Sequence, residues 1–440
     1  MANTSSNDLR FAGDVNVGEI TIKSLVNNSA FNVKNQLLTI QIYEDMFAPF
    51  ITGSLIFRES SDFASNFPFV GEEVVNISIF TPSFDIKYPD NGVIKGRFYI
   101  YKMSDRQEVA ERNTVYQLHF ISVEAINDLN VKISKGFNGK ISDIANELLS
   151  GENTLYTKKK VFIEETSNKT KYVSNFWSPI RNINYIVDHA LNENESPTYV
   201  FYENRNGFNF ISLDTLNSQR PFQTFQQYDV HQIITPDGGS ARDINLDFRK
   251  ITELTIPVSY DYMDKATSGV YGSTLLYSDL GTKEYFNQKF SLFDKWGDDT
   301  KETRLNKFPV ASNKLFSTYR ASMFNDTIEV GLFTDYEDVS NIKNRQKRIS
   351  RLKQAEANKI QIVVCGRTDY TVGLVVKVVK FKAAPIEKND TESSPEKILD
   401  GLISGNYLIS AINHVIDVEK HECHMTLIKD SLIVDLNNVS

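Results

Sequence analysis

Cysteine is scarce in this chain: Cys365 and Cys423 are the two among 440 residues. Two thiols exclude a disulfide framework and any Cys-rich zinc site, which needs about four ligands. A single bridge between them is formally open, and two free thiols fit a reducing folding compartment. Tryptophan is equally rare, with two residues. Long apolar runs are missing as well. A spanning helix needs about 20 consecutive apolar residues, and the stretch 374–381 is broken by Lys377 and Lys380. The first 15 residues lack a basic segment followed by an apolar one, so no signal peptide is expected. A positive excess is missing too: 48 Lys+Arg stand against 56 Asp+Glu, a formal net charge of −8. Residues 1–130 hold 10 basic and 16 acidic residues, and the remainder 38 and 40, so the deficit sits near the N-terminus. A chain of this balance repels phosphates and does not hold nucleic acid by bulk electrostatics.

What the chain has in quantity is aromatic residues, 29 Phe and 20 Tyr, which favour strands. Its length fits about three domains at roughly 150 residues each. Apolar–polar alternation predicts strands over 37–43, 53–58, 74–80, 96–103 and 114–123, a small antiparallel barrel or sandwich. The period then changes. Residues 139–150 place Ile141, Ile144, Leu148 and Leu149 on one helical face, with Gly151 as a stop. A second helix is expected over 179–191, with Ser178 as N-cap and Pro179 at its first position. A hairpin follows over 199–213. Residues 259–340 are the least periodic and read as a loop-rich lobe. A basic helix over 341–357 leads to strands at 361–365 and 374–381. A short helix from Ser394 to Leu402 and final strands at 407–412 and 423–428 complete the reading.

The last two strands repeat an earlier pair. Gly96-Arg97-Phe98-Tyr99-Ile100 matches Gly405-Asn406-Tyr407-Leu408-Ile409. At a constant offset Met103 falls on Ile412, Tyr116 on Met425 and Leu118 on Leu427, with every apolar residue keeping its face. Two copies of one β domain are expected, one at each end. A trimer of such chains presents six similar domains and joins a threefold object to a sixfold one.

Ile42-Tyr43-Glu44-Asp45, Ile51-Thr52-Gly53 and Phe67-Pro68-Phe69-Val70-Gly71-Glu72-Glu73 resemble the opening tube-like domain of T4-type contractile phage baseplate hub proteins. Trp177-Ser178-Pro179 with the segment 199–211 is similar to their middle domain, and 405–409 through 427–430 to their second tube-like domain. The resemblance implies a mainly β fold with α+β inserts. Two duplicated antiparallel tube-like domains would occupy 1–128 and 227–258 with 341–440. A middle domain would span 129–226, and 259–340 would be a lateral insertion. It implies a homotrimeric ring that caps the tail tube protein above and carries the spike protein below. Baseplate wedge proteins are further possible neighbours, and DNA passes only in transit through the lumen. It implies a virion component assembled in the host cytoplasm, with no enzymatic activity, cofactor or membrane insertion. The alternatives are the hub of a related injection or secretion machine, and a polysaccharide-binding or -cleaving tail protein.

Candidate chemistry is sparse. His421, Cys423 and His424, near His414, suggest a metal cluster, but His424 points away from the other two on a strand. No metal is assigned. Asp188-His189 with Glu193 and Glu195 reads as polar surface at a helix end. Asp237-Gly238-Gly239-Ser240-Ala241 lacks a phosphate-loop or nucleophile-elbow pattern, and Ser350-Arg351-Leu352-Lys353 lacks the companions of an S-x-x-K enzyme. No catalytic residue is assigned. The basic helix residues Lys343, Arg345, Lys347, Arg348, Arg351 and Lys353 are candidates for contact with an acidic partner surface, against a plain solvated helix face. Glu72 and Glu73 are expected to line an acidic channel.

Overall fold

The computed structural model describes residues 9–436 apart from 26–28, 61–66, 68, 85–91, 111–112, 228–232, 235–239, 242–243, 259–260, 281–282, 293–302, 311–325, 332–338, 357, 383–398 and 418–419. The expected short helix after Ser394 falls largely outside these residues. The N-terminal lobe is built from β1 (Asn16–Lys23), β2 (Ala30–Asn32), β3 (Leu37–Asp45), β4 (Thr52–Glu59), β5 (Glu73–Phe80), β6 (Val93–Ala110) and β7 (Asn113–Ser122). Alternation sets their faces. On β3, Ile40 and Ile42 enter a core with Leu55, Phe57, Leu118 and Phe120, while Tyr43 and Asp45 stay exposed.

The middle lobe comprises α1 (Val123–Asn130), β8 (Ile133–Lys140), α2 (Ile141–Ser150), β9 (Val161–Ile163), β10 (Lys169–Trp177), α3 (Pro179–Val187), β11 (Tyr199–Asn204), β12 (Gly207–Ser212) and α4 (Leu213–Asn217). The expected stripe of α2 meets Ile180, Ile183 and Ile186 of α3 and Phe208 and Phe210 of the hairpin in one core. Ser178 caps α3 by accepting from the Arg181 amide at 3.3 Å, as its position before Pro179 predicts. The helix ends at Val187, one turn earlier than expected.

The rest of the chain supplies β13 (Thr224–Gln226), β14 (Ile233–Ile234), β15 (Ser240–Ala241), α5 (Ile244–Asp247), β16 (Ile251–Val258), α6 (Tyr262–Thr267), β17 (Gly272–Asp279), β18 (Tyr285–Ser291), β19 (Phe308–Pro309) and β20 (Asp326–Gly331). After them come α7 (Val339–Ala355), β21 (Asn358–Cys365), β22 (Val375–Val379), β23 (Gly405–Asp417), β24 (His421–Lys429) and β25 (Ser431–Leu432). The segment read as loop-rich contains a sheet: β17 pairs antiparallel with β18 and parallel with β20. Its strands are Ser-, Thr- and Tyr-rich, which hides the apolar alternation that reveals strands elsewhere.

Among the described residues, one sheet of 13 strands joins the two ends of the chain, in the order β16-β21-β24-β23-β3-β4-β7-β6-β5-β1-β2, with β22 and β13 branching from β23. The expected duplication is visible in its register. A first unit, β3-β4-β7-β6-β5, corresponds to a second, β16-β21-β24-β23-β22. Gln41 pairs with Ser54 as Thr255 does with Gln361. Leu55 pairs with Leu118 as Ile362 does with Met425. Val75 pairs with Phe98 as Val376 does with Tyr407. Even the irregularity recurs, because the β6–β7 ladder shifts after Ile100 and the β23–β24 ladder after Ile409.

The register corrects one sequence expectation. Met103 pairs with Leu118, and its counterpart Ile412 pairs with Met425, so Leu118 corresponds to Met425 and Tyr116 to Cys423. The second hairpin is two residues shorter. A two-residue slip keeps every side chain on its face, which is why alternation alone could not detect it.

Candidate functional site: an open sheet face and buried lobe junctions

The face of the large sheet opposite its two cores is polar and crosses the boundary between the units without interruption. Glu253, Val363, His424, Asn413, Tyr43 and Thr52 follow one another across six strands. A neighbouring row runs Glu422, Val415, Gln41, Ser54, His119, Lys102. A groove of about 440 Å³ lies on this face against Tyr43, Asp45, Glu253, Thr255, Gln361 and His424. Carboxylates and cations mix here, so the face carries no strong field of one sign.

Part of the acidity of residues 1–130 is used inside the molecule. Asp14, Glu44, Glu59, Glu73 and Glu124 are buried, five of its 16 acids. Glu73 was expected beside a channel. Instead its carboxylate accepts the Val70 and Gly71 amides at 2.8 and 3.1 Å and folds the turn before β5. It is fully buried, so it cannot line a lumen; Glu72 is exposed.

The basic helix also divides. Arg345 and Lys353 are exposed and Lys347 is half-buried; the side chain of Lys343 lies outside the described residues. Arg348 and Arg351 are buried, which removes them from any partner surface. Arg348 donates to the carbonyls of Pro197 and Tyr199, both at 2.8 Å, and pairs with Asp188 at 3.0 Å. Arg351 pairs with Asp214 at 2.9 Å and Asp430 at 3.3 Å, and donates to the Thr303 carbonyl at 3.1 Å. The guanidinium fork meets several acceptors at once, which suits arginine to an internal clamp. The run of basic residues could not show that two of its arginines lie on the inward face of α7.

Two buried carboxylates hold the remaining junctions. Glu44 of β3 accepts from the Thr371 hydroxyl at 2.6 Å and from the Val372 and Arg205 amides, both at 3.1 Å. Burial pushes its pKa upward against these donors. Glu203 of β11 accepts from Ser122 at 2.6 Å and the Ile51 amide at 3.0 Å, and pairs with Lys159. Sequence reasoning missed both, since an isolated Glu in a strand carries no pattern.

The histidine–cysteine group takes a form the sequence did not foresee. His424 is exposed on the opposite face, as expected. His414 instead faces Cys423 directly across β23 and β24, and His421 shares their face. His414 Nδ1 lies 3.0 Å from His421 Nε2, and Cys423 Sγ lies 3.3 Å and 3.5 Å from those nitrogens. All three are fully buried. Burial holds His414 well below the usual imidazole range and His421 down to about 3, and it pushes the Cys423 thiol up.

The other candidates are structural. Asp188 is the partner of Arg348, His189 donates to the Tyr185 carbonyl at 2.7 Å, and Glu193 and Glu195 are exposed. Ser350 is buried and donates to the Val270 carbonyl at 2.6 Å, so it is no nucleophile. Asp237, Gly238 and Gly239 lie outside the described residues.

Two matched five-strand units around an α+β lobe give this chain a fold similar to that of solved tail proteins. A tail protein from Neisseria meningitidis MC58 superposes with a TM-score of 0.53 at 10% identity, over 94% of this chain and 96% of that one. The 43 kDa tail protein of prophage MuSo2 from Shewanella oneidensis superposes with a TM-score of 0.54 at 9% identity, over 94% and 99%. At these identities the likeness is one of fold. The sequence matches no family model and no curated relative.

Proposed function

We propose that this chain is a structural baseplate hub subunit of a contractile phage tail, working as a homotrimer without enzymatic activity. The observation that carries this reading is a pair of strand edges with no neighbouring strand among the described residues. In the second unit, residues 411–417 of β23 pair with β3, with Asn413 opposite Tyr43. The corresponding part of β6, residues 102–108, pairs with no described strand on that side. β16, the counterpart of β3, is the end strand of the sheet, and its side chains from 255 to 258 are exposed. Joining β6 of one copy to β16 of the next repeats the contact that already exists within the chain. Ser104 then faces Val258 of the neighbour, as Asn413 faces Tyr43. Unpaired edges invite such addition, and three copies closed this way present six similar units.

In this reading the polar sheet face lines the ring, the tail tube protein sits above and the spike protein below. DNA slides through a lumen of mixed charge that does not grip it. The chain would then be a virion component.

Sedimentation equilibrium of the purified chain should give three times 50.1 kDa. The double variant Ser104→Cys with Val258→Cys should form intermolecular disulfides on oxidation, while either single variant should not. A mass of 50.1 kDa at micromolar concentration, with no cross-linked species, would refute the reading.

A further inference from the structure

We propose that His414, His421 and Cys423 bind one zinc-class transition-metal ion, which staples the second hairpin at the seam between the two units. This inference stands apart from the hub reading and needs no oligomer. Zinc bonds of about 2.0–2.1 Å to nitrogen and about 2.3 Å to sulfur place tetrahedral ligands about 3.3–3.6 Å from one another. The three candidate atoms here stand 3.0, 3.3 and 3.5 Å apart. Borderline nitrogen and soft sulfur are the donor set such ions select.

Hydrogen bonding alone accounts for the triangle poorly. Three close contacts need a hydrogen along each edge. One of the two facing ring nitrogens must be bare to accept from the other, and the thiol has one hydrogen. At most two edges are then satisfied. The outer nitrogen of His421, Nδ1, is buried with no hydrogen-bond partner, so that ring is not held by a bond on its far side. His414 is oriented by the Tyr370 backbone, the kind of outer contact that positions a metal-ligating imidazole. An ion at the centre uses all three inward lone pairs together.

The group is also not a requirement of the fold. On the first hairpin the counterpart of Cys423 is Tyr116 and that of His421 is Thr114, so the same strands are built there without it. The surroundings are shaped around it. A Cβ on Gly366 would lie 2.3 Å from the His421 ring, while the Gly366 amide donates to the His421 carbonyl at 2.8 Å. His414 pairs with Ile42 of β3, which places the ion beneath the strand contact that joins the two units.

The test is the metal content of the full chain, purified without a chelator or a metal-affinity step, by mass spectrometry of the elements. One zinc per chain is expected. It should be retained in Cys365→Ser and His424→Ala and lost in Cys423→Ser and His414→Ala. Copper(I) held by the same three residues would also support the site. Because a buried variant can also lose metal by unfolding, wild-type chain is unfolded with chelator and refolded with Co²⁺ alone. A near-ultraviolet thiolate-to-cobalt absorption should appear, and it should be absent with Cys423→Ser. Wild-type chain free of metal after purification and without that absorption after refolding would overturn the proposal. So would full metal retention by Cys423→Ser.

Discussion

The Ser122 hydroxyl donates to the Glu203 carboxylate at 2.6 Å, joining the last strand of the N-terminal lobe to the hairpin of the middle lobe. The same carboxylate takes the Ile51 amide at 3.0 Å and the Lys159 ammonium. Lys159 in turn reaches Glu124 at 2.6 Å. Removing one member of a buried, paired group strands the others. Glu203→Ala is expected to cost about 3 kcal/mol of stability in urea denaturation. A loss below about 0.5 kcal/mol, the scale of an ordinary surface change, would show that the network does not hold the lobes.

Helix α7 separates clamp from surface. Arg351→Met takes this cation from buried Asp214 and leaves Asp430 with the more distant Arg304 at 4.0 Å, and a loss of about 3 kcal/mol is expected. Lys353→Ala, on the exposed side, is expected to stay within about 0.5 kcal/mol. Equal effects of the two substitutions in thermal unfolding would return the helix to a uniform solvated face.

Gly53 illustrates how a motif residue acquires its reason from the fold. It pairs with Phe120 across β4 and β7, and a Cβ there would lie 2.2 Å from the Phe120 ring and 2.4 Å from the Gln41 carbonyl. Backbone and a core ring both have to move. Gly53→Ala should therefore cost about 1–3 kcal/mol, seen as a lower denaturation midpoint, whereas Thr52→Ala next to it should be near neutral.

Much of this architecture could be read from alternation. Strands β3 to β7, both long helices of the middle lobe and the hairpin β11–β12 were expected close to where they lie, because each buries one apolar face. The duplication was legible for the same reason, since Phe98 and Tyr407 and then Ile100 and Ile409 keep equivalent faces. Alternation fails where the buried side is not apolar. On α7 the buried residues Gln346, Arg348, Ser350, Arg351 and Gln354 are polar and outnumber the apolar Ala355. It also fails across strands. Residues 414 and 423 become neighbours only through the β23–β24 register, so alternation could set His424 aside but could place His414, which completes the group, no closer than nearby.

Lys429 offers a test by pH. It is buried, donates to the carbonyls of Leu402, Ile403 and Ser404 at 2.6, 3.3 and 3.2 Å, and stands 4.6 Å from the Tyr407 ring centre. Loss of hydration outweighs the attraction of Asp400 and draws its pKa down to about 7. In the unfolded chain the same amine holds its proton to about 10.4. Between these values the unfolded state binds more protons than the folded one, so stability rises with pH through this window. The limiting slope for one proton is about 1.4 kcal/mol per pH unit, and below about 7 this contribution levels off. Denaturation midpoints measured from pH 6 to 10 should show the rise in the wild type and a flatter profile in Lys429→Met. Parallel profiles would mean that the three carbonyls and the ring keep the ammonium charged in the folded chain throughout that range.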